Sequence, residues 1–195
     1  MNEIKYYTGI GSRATPEPLR ETMQALAGRL AGTYRLRSGG ALGADMAFEL
    51  GARKAEATLG VDVYRPRYDI HPICYEIAES IHPHWKAMKP FTRQLFARNV
   101  EQILGSKVNH PSQFVVCWTP DGCETMRDYR PKQTGGTGLA IALAQNLPVL
   151  AEKFELKHAD GSPITKAIPV FNLRKSHRLD QLCAWLGITG NLYDV

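Results

Sequence analysis

Residues 34–45 read Tyr34-Arg35-Leu36-Arg37-Ser38-Gly39-Gly40-Ala41-Leu42-Gly43-Ala44-Asp45. A short strand-like run empties into a glycine-rich turn, and a helical pattern resumes at once. That is the order of a strand–loop–helix junction in an α/β protein. The same order occurs upstream, where a strand from Ile4 to Thr8 meets the loop Gly9-Ile10-Gly11-Ser12-Arg13. It occurs again downstream, where Gly135-Gly136-Thr137-Gly138 opens a helix carrying Leu139, Ile141, Ala142 and Leu143.

The rest of the chain fits this alternation. Thr15 reads as an N-cap with Pro16 at the first helical position, and Leu19, Met23, Leu26 and Leu30 follow as one buried stripe. The helix after Asp45 runs toward Gly60, and Val61 to Tyr64 is the third strand. Residues 71–105 are mainly helical, with breaks at His82-Pro83 and at Pro90. Phe114 to Trp118 is the most apolar strand and belongs in the sheet centre. Residues 120–134 are polar and long enough for a functional lid. Leu147 to Leu150 reads as a fifth strand, 151–168 as an inserted hairpin turning at Asp160-Gly161, and Pro169 to Leu173 as a further strand. Residues 174–195 form a last helix, capped by Ser176 and ended at Gly187, with a tail. The expectation is a single Rossmann-like, doubly wound α/β domain over 1–195, with a mainly parallel sheet of five or six strands.

Composition narrows the function classes. With 195 residues, 44% of them hydrophobic and 22% charged, the chain is an ordinary globular domain. No apolar run approaches the roughly 20 residues that span a bilayer. A cytosolic protein with no membrane partner is expected. The excess of 24 basic over 19 acidic residues gives +5, compatible with a phosphorylated or polyanionic ligand. Cys74, Cys117, Cys123 and Cys183 form no CxxC pair and read as reduced thiols, Cys117 and Cys183 lying in apolar segments.

In a parallel sheet the three glycine junctions share the edge beyond the carboxyl ends of the strands. There helix N-termini present free N–H groups and partial positive charge. Glycine lets the backbone approach a phosphate, and Ser12, Ser38 and Thr137 add hydroxyls. The binding set is therefore Gly11, Ser12, Arg13, Ser38, Gly39, Gly40, Asp45, Thr119, Gly135, Gly136, Thr137 and Gly138. Asp45 reads either as a ligand group or as a first-turn acid complementing the helix dipole. Trp118 and Tyr7 read either as stacking surfaces or as core. There is no GxxxxGK[ST], and no GxGxxG followed by an acid about 20 positions on. His71, Cys74, His82 and His84 lack the second tight pair of a zinc set. No cofactor and no metal are assigned.

Gly11-Ser12-Arg13 and Ser38-Gly39-Gly40-Ala41-Leu42-Gly43-Ala44-Asp45 resemble the glycine signatures of the DNA-processing protein A family. Thr134-Gly135-Gly136-Thr137-Gly138 resembles the PGGxGTxxE signature of the Lonely Guy phosphoribohydrolases, and Leu95-Phe96-Ala97-Arg98-Asn99 is similar to their MHxRK. Both families belong to the SLOG superfamily, which also contains short phage-encoded proteins. The resemblance spans roughly residues 4–150. It implies a Rossmann-like fold, a nucleotide or nucleotide-derived ligand with phosphate on the loops, and Arg98 as a phosphate partner. It also implies partners of two further kinds, single-stranded DNA and a second copy of the chain. Aligned residue by residue, Leu139 stands at the threonine of the signature and Ala142 at its catalytic glutamate, and alanine transfers no proton. If the chain is a nucleotide N-glycosidase, Asp121 or Glu49 must supply the carboxylate, working with Arg98. Three classes stand side by side: a nucleotide-binding module, an N-glycosidase, and a single-strand DNA binder in which Arg35, Arg37, Arg53, Lys54, Arg65 and Arg67 meet the backbone.

Overall fold

A computed structural model describes residues 3–193. Five strands, β1 (Tyr6–Gly11), β2 (Arg35–Ser38), β3 (Val61–Val63), β4 (Val115–Trp118) and β5 (Val170–Asn172), form one sheet in the order β3-β2-β1-β4-β5. All four pairings are parallel, with Thr8 opposite both Arg37 and Val115. The helices are α1 (Glu17–Leu30), α2 (Ala44–Lys54), α3 (Pro72–Ile81), α4 (Pro90–Leu104), the single turn α5 (Pro131–Thr134), α6 (Thr137–Gln145), α7 (Leu147–Lys153) and α8 (His177–Leu186). The architecture is the expected Rossmann-like, doubly wound one.

Alternation along β4 shows how the sheet is covered on both faces. Val115 and Cys117 enter one core with residues of α3, α4, α6 and α7, while Val116 and Trp118 enter a second core with α1, α2 and α8. A period of two fills both layers, so the strand reads as a continuous apolar run. β4 is an interior strand, and β1 holds the middle of the sheet. The α1 stripe is as expected, with Met23, Leu26 and Leu30 buried and Leu19 packed beside them. The helix starts one residue late because the Thr15 hydroxyl donates to the Ser12 carbonyl at 2.7 Å instead of capping.

Four expectations are revised. Leu147 to Leu150 is not a strand but the start of α7. Pro148 has no N–H to give a ladder but fits the first helical turn, and Leu147, Leu150 and Ala151 then share one buried face. Residues 120–134 are not an unpacked lid. They carry a 3-10 turn at Met126–Asp128 and the turn α5, with Cys123, Glu124 and Tyr129 buried. The 151–168 excursion is a reduced hairpin with one antiparallel bridge, Lys157 to Pro163, around the Asp160-Gly161 turn. α2 stops at Lys54, short of Gly60. Gly187 ends α8 in the left-handed conformation. Asp194 and Val195 of the expected tail lie outside the described residues.

Candidate functional site

A cavity of about 420 Å³ opens beyond the carboxyl end of β1. Its floor comes from Ile10 to Arg13 with Ala41 and Asp45. One wall is α4, through Thr92, Leu95, Phe96, Arg98, Asn99 and Gln102. The opposite wall is the chain entering α6, Thr134 to Thr137. The volume lies in the range of small-molecule sites. Residues of all three glycine junctions and the Arg98 helix thus meet around one space.

The second glycine loop is already occupied from within. Asp45, 3% exposed, turns its carboxylate into the donors that the loops present. Oδ1 accepts from Gly11 N–H at 3.0 Å, and Oδ2 accepts from Gly39 N–H at 3.2 Å and Ala41 N–H at 3.4 Å. The nest selects an anion, and the chain supplies it. Burial pushes the Asp45 carboxyl up to about 6, against the pull of Arg98 and these N–H groups. Gly43 permits the turn, because at φ +89° a side chain would press on the Ser12 carbonyl and Arg13.

Arg98 lies on the other side of Gly39, 9% exposed, where any side chain at Gly39 would collide with its guanidinium. The missing side chain makes room for an arginine rather than for a phosphate. Burial lowers the Arg98 pKa from its ordinary value, the Asp45 charge opposes that, and Arg13 adds to it. Arg98 Nε and Gln102 Nε2 are buried without a hydrogen-bond partner. Such donors are costly when left unmade. Asn99 is committed, donating from Nδ2 to the Gly136 carbonyl at 2.9 Å and so tying α4 to the α6 entrance.

The third junction is open. A side chain at Gly135 or Gly136 would meet nothing within 4 Å. Gly135, Gly138 and Leu139 N–H donate to the Pro131, Gly135 and Gly136 carbonyls at 3.3, 3.2 and 3.4 Å, which leaves the N–H groups of Gly136 and Thr137 for a ligand at the helix start. Gly138, in contrast, is packed under Tyr129 and does not line the cavity.

Other expected site residues lie elsewhere. Ser38 is buried, its hydroxyl donating to the Asp45 carbonyl at 3.5 Å, and Gly40 does not line the cavity. Ser12 does, but its hydroxyl accepts from Ala14 N–H at 3.1 Å. Thr119 is buried and accepts from Asn172 Nδ2 and from Cys123 N–H. Asp121 lies outside the cavity in a Pro-Asp-Gly turn, accepting from the Thr134 hydroxyl at 2.5 Å and from Cys123 N–H at 3.3 Å. Burial would raise its carboxyl, but the Thr134, Thr119 and Cys123 donors together bring it below the ordinary value. Glu49 also lies outside. It is buried, with Arg53 at 3.4 Å from one oxygen and the other unpartnered.

The basic residues around β2 and β3 are partly spent. Arg37 is buried, donates to the carbonyls of Ile103 and His110, and lies over the Tyr6 ring. Arg35 pairs with Asp62, and Arg67 with Glu101 and Asp69. His71 accepts from Ile73 N–H as the cap of α3, and His82 packs against Phe96. All four cysteines are free thiols, with Cys183 half-buried rather than buried. Burial pushes Cys74 to about 12 and Cys123 to about 11, too high for thiolate chemistry at neutral pH.

Sequence reasoning missed Gln102, Phe96 and Thr92 as cavity residues. Their signal was spacing: Thr92, Phe96, Asn99 and Gln102 recur every three or four residues. Among the described residues no helix is long and apolar enough to cross a membrane. No protein-family model, no curated protein and no solved structure matches the chain.

Proposed function

We propose that the protein binds a nucleotide or nucleotide-derived ligand in the cavity beyond β1, with its phosphate on the open α6 entrance at Gly135 to Thr137. The observation that carries this reading is the contrast between two nests. The one at Gly39 holds its own carboxylate, while the one at Gly136 has open space at its Cβ position and, among the described residues, no carboxylate accepting from its N–H groups, the Asp121 carboxylate being taken by the Thr134 hydroxyl. Arg13 at the mouth adds positive charge, and Ile10, Leu95 and Phe96 offer an apolar surface for a base. The SLOG-like motifs point the same way.

Binding is favoured over N-glycoside cleavage. Asp45 is the one acid lining the cavity among the described residues, and its oxygens already hold three backbone donors. Ala142 is fully buried and offers no proton. Single-strand DNA binding is less well supported, since Arg35, Arg37 and Arg67 serve internal partners.

Thermal unfolding with nucleoside monophosphates and with inorganic phosphate tests this. A ligand at a hundred times its Kd adds about 2.7 kcal/mol to native stability. A nucleotide should raise Tm well beyond phosphate alone; no rise with any nucleotide overturns the reading.

A further inference from the structure

The two ends of the cavity differ in charge, and the difference assigns what each takes; this step rests on the nucleotide reading above. β2, whose loop carries Gly39, and β4, which leads on to α6, flank β1 on its two sides. α4 reaches both ends, since Asn99, next to Arg98, donates to the Gly136 carbonyl at 2.9 Å. At the β2 end, Arg98 and Gln102 stand one helical turn apart on α4 and converge on Gly39, where a side chain would run into both Arg98 Nη1 and Gln102 Nε2. Arg98 is 9% and Gln102 1% exposed, both line the cavity, and Arg98 Nε and Gln102 Nε2 have no acceptor.

Asp45 shares that end and offsets the guanidinium charge, so a second phosphate would find little net attraction there. A carboxylate has about four acceptor sites. Gly11, Gly39 and Ala41 fill three of them. One acceptor site on Asp45 and two unpartnered donors, Arg98 Nε and Gln102 Nε2, remain. A neutral group matches them if it carries a carbonyl oxygen, whose two lone pairs take both donors, beside an N–H that reaches the carboxylate.

We propose that Arg98, Gln102 and Asp45 read the lactam edge of a 6-oxopurine, while Gly135 to Thr137 hold the phosphate of the same nucleotide. A 6-aminopurine offers a ring nitrogen with one lone pair at that edge, so one buried donor stays unpaired. A site built around hydrogen bonds rejects such an analogue strongly.

Titration calorimetry with IMP and AMP on the full chain tests this, since the two differ only at that edge. IMP should bind at least about tenfold more tightly, the penalty of one buried unpaired donor. Gln102→Leu should bring the IMP-to-AMP ratio close to one. Gly136→Asp should weaken both nucleotides and leave their ratio unchanged. Equal affinity for IMP and AMP in the native chain, or a ratio indifferent to Gln102→Leu, overturns the base assignment while leaving nucleotide binding standing. If neither nucleotide binds, the parent reading falls as well. The native-chain ratio decides the matter even if a variant fails to fold.

Discussion

The carboxylate of Asp45 and the backbone N–H of Gly11 meet at 3.0 Å across 34 residues of sequence, and this bond locks the first glycine loop to the second. The same side chain takes the N–H groups of Gly39 and Ala41. A cradle shaped for an anion is thereby turned into a structural joint. Arg98, pressed against Gly39, balances its charge from α4.

That joint carries a pH signature. Burial holds the Asp45 carboxyl near 6 in the folded chain against 3.8 ordinarily, with Arg98 on α4 opposing and Glu49 on α2 adding to the rise. The native state therefore binds the proton more tightly than the unfolded one between these values, and stability falls as pH rises through that window. The loss attributable to this group is about 3 kcal/mol, complete above pH 6. Chemical denaturation of wild type and Asp45→Asn from pH 3.5 to 7.5 isolates it. The wild type should lose about that much relative to the variant over the series; a constant difference would show that Asp45 does not hold the proton.

Glu101 is a second buried acid with a single cationic partner on another element. Its carboxylate accepts from Arg67 Nη1 at 2.7 Å and Nη2 at 2.6 Å, which pins the chain after β3 to α4. Removing the arginine strands a buried charge. Arg67→Ala should cost about 3 kcal/mol, the low end for breaking a buried pair because Arg67 is a third exposed. In a chain of this size that lowers Tm by roughly 6–12 °C. The double change Arg67→Leu with Glu101→Leu should recover most of the loss, since paired apolar side chains replace buried ion pairs at little cost. A double variant no better than the single one would place the damage in packing rather than charge.

The parallel fold was legible because strands buried on both faces read as apolar runs, and the α1 stripe of Leu19, Met23, Leu26 and Leu30 has only one period to choose. Leu147, Val149 and Leu150 are too few to separate a strand period from a helical one, and Pro148, which cannot donate to a ladder, decides for the helix. The glycine loops were legible as nests, but not what fills them. Asp45 reaches Gly11 only because the α1 crossover sets β2 beside β1, and Gln102 becomes a site residue only once α4 lies over Gly39. The packing of residues 120–134 was invisible for the same reason, since Glu124 finds its partners 51 and 54 residues away.

Those partners make Glu124 the anchor of the expected lid. Its oxygens accept from Lys175 Nζ, Arg178 Nε and Nη2, and Asn172 N–H, at 2.6 to 2.9 Å. Burial would raise the carboxyl, but these donors hold it below its ordinary value. Glu124→Gln keeps the size and removes the charge. Trypsin should then cut after Arg127 or Lys132 about tenfold faster, as expected if about 1.4 kcal/mol of local stability is lost. Unchanged cleavage would mean that the segment is held elsewhere, for example through Asp121 and Thr134.

Gly136 separates folding from binding most cleanly. Its backbone is already right-handed helical at φ −63°, and a side chain there enters open space. Gly136→Asp therefore meets no steric penalty, and a negative charge at the head of α6 complements the helix dipole by about 0.3–1 kcal/mol. The variant should melt at or slightly above the wild-type temperature. The same charge occupies the position proposed for the phosphate, so nucleotide affinity should fall at least about tenfold, as expected for roughly 1.4 kcal/mol of lost attraction. Thermal unfolding with and without IMP reads both effects in one experiment. A variant that stays stable yet binds as tightly as wild type would remove the phosphate from the α6 entrance.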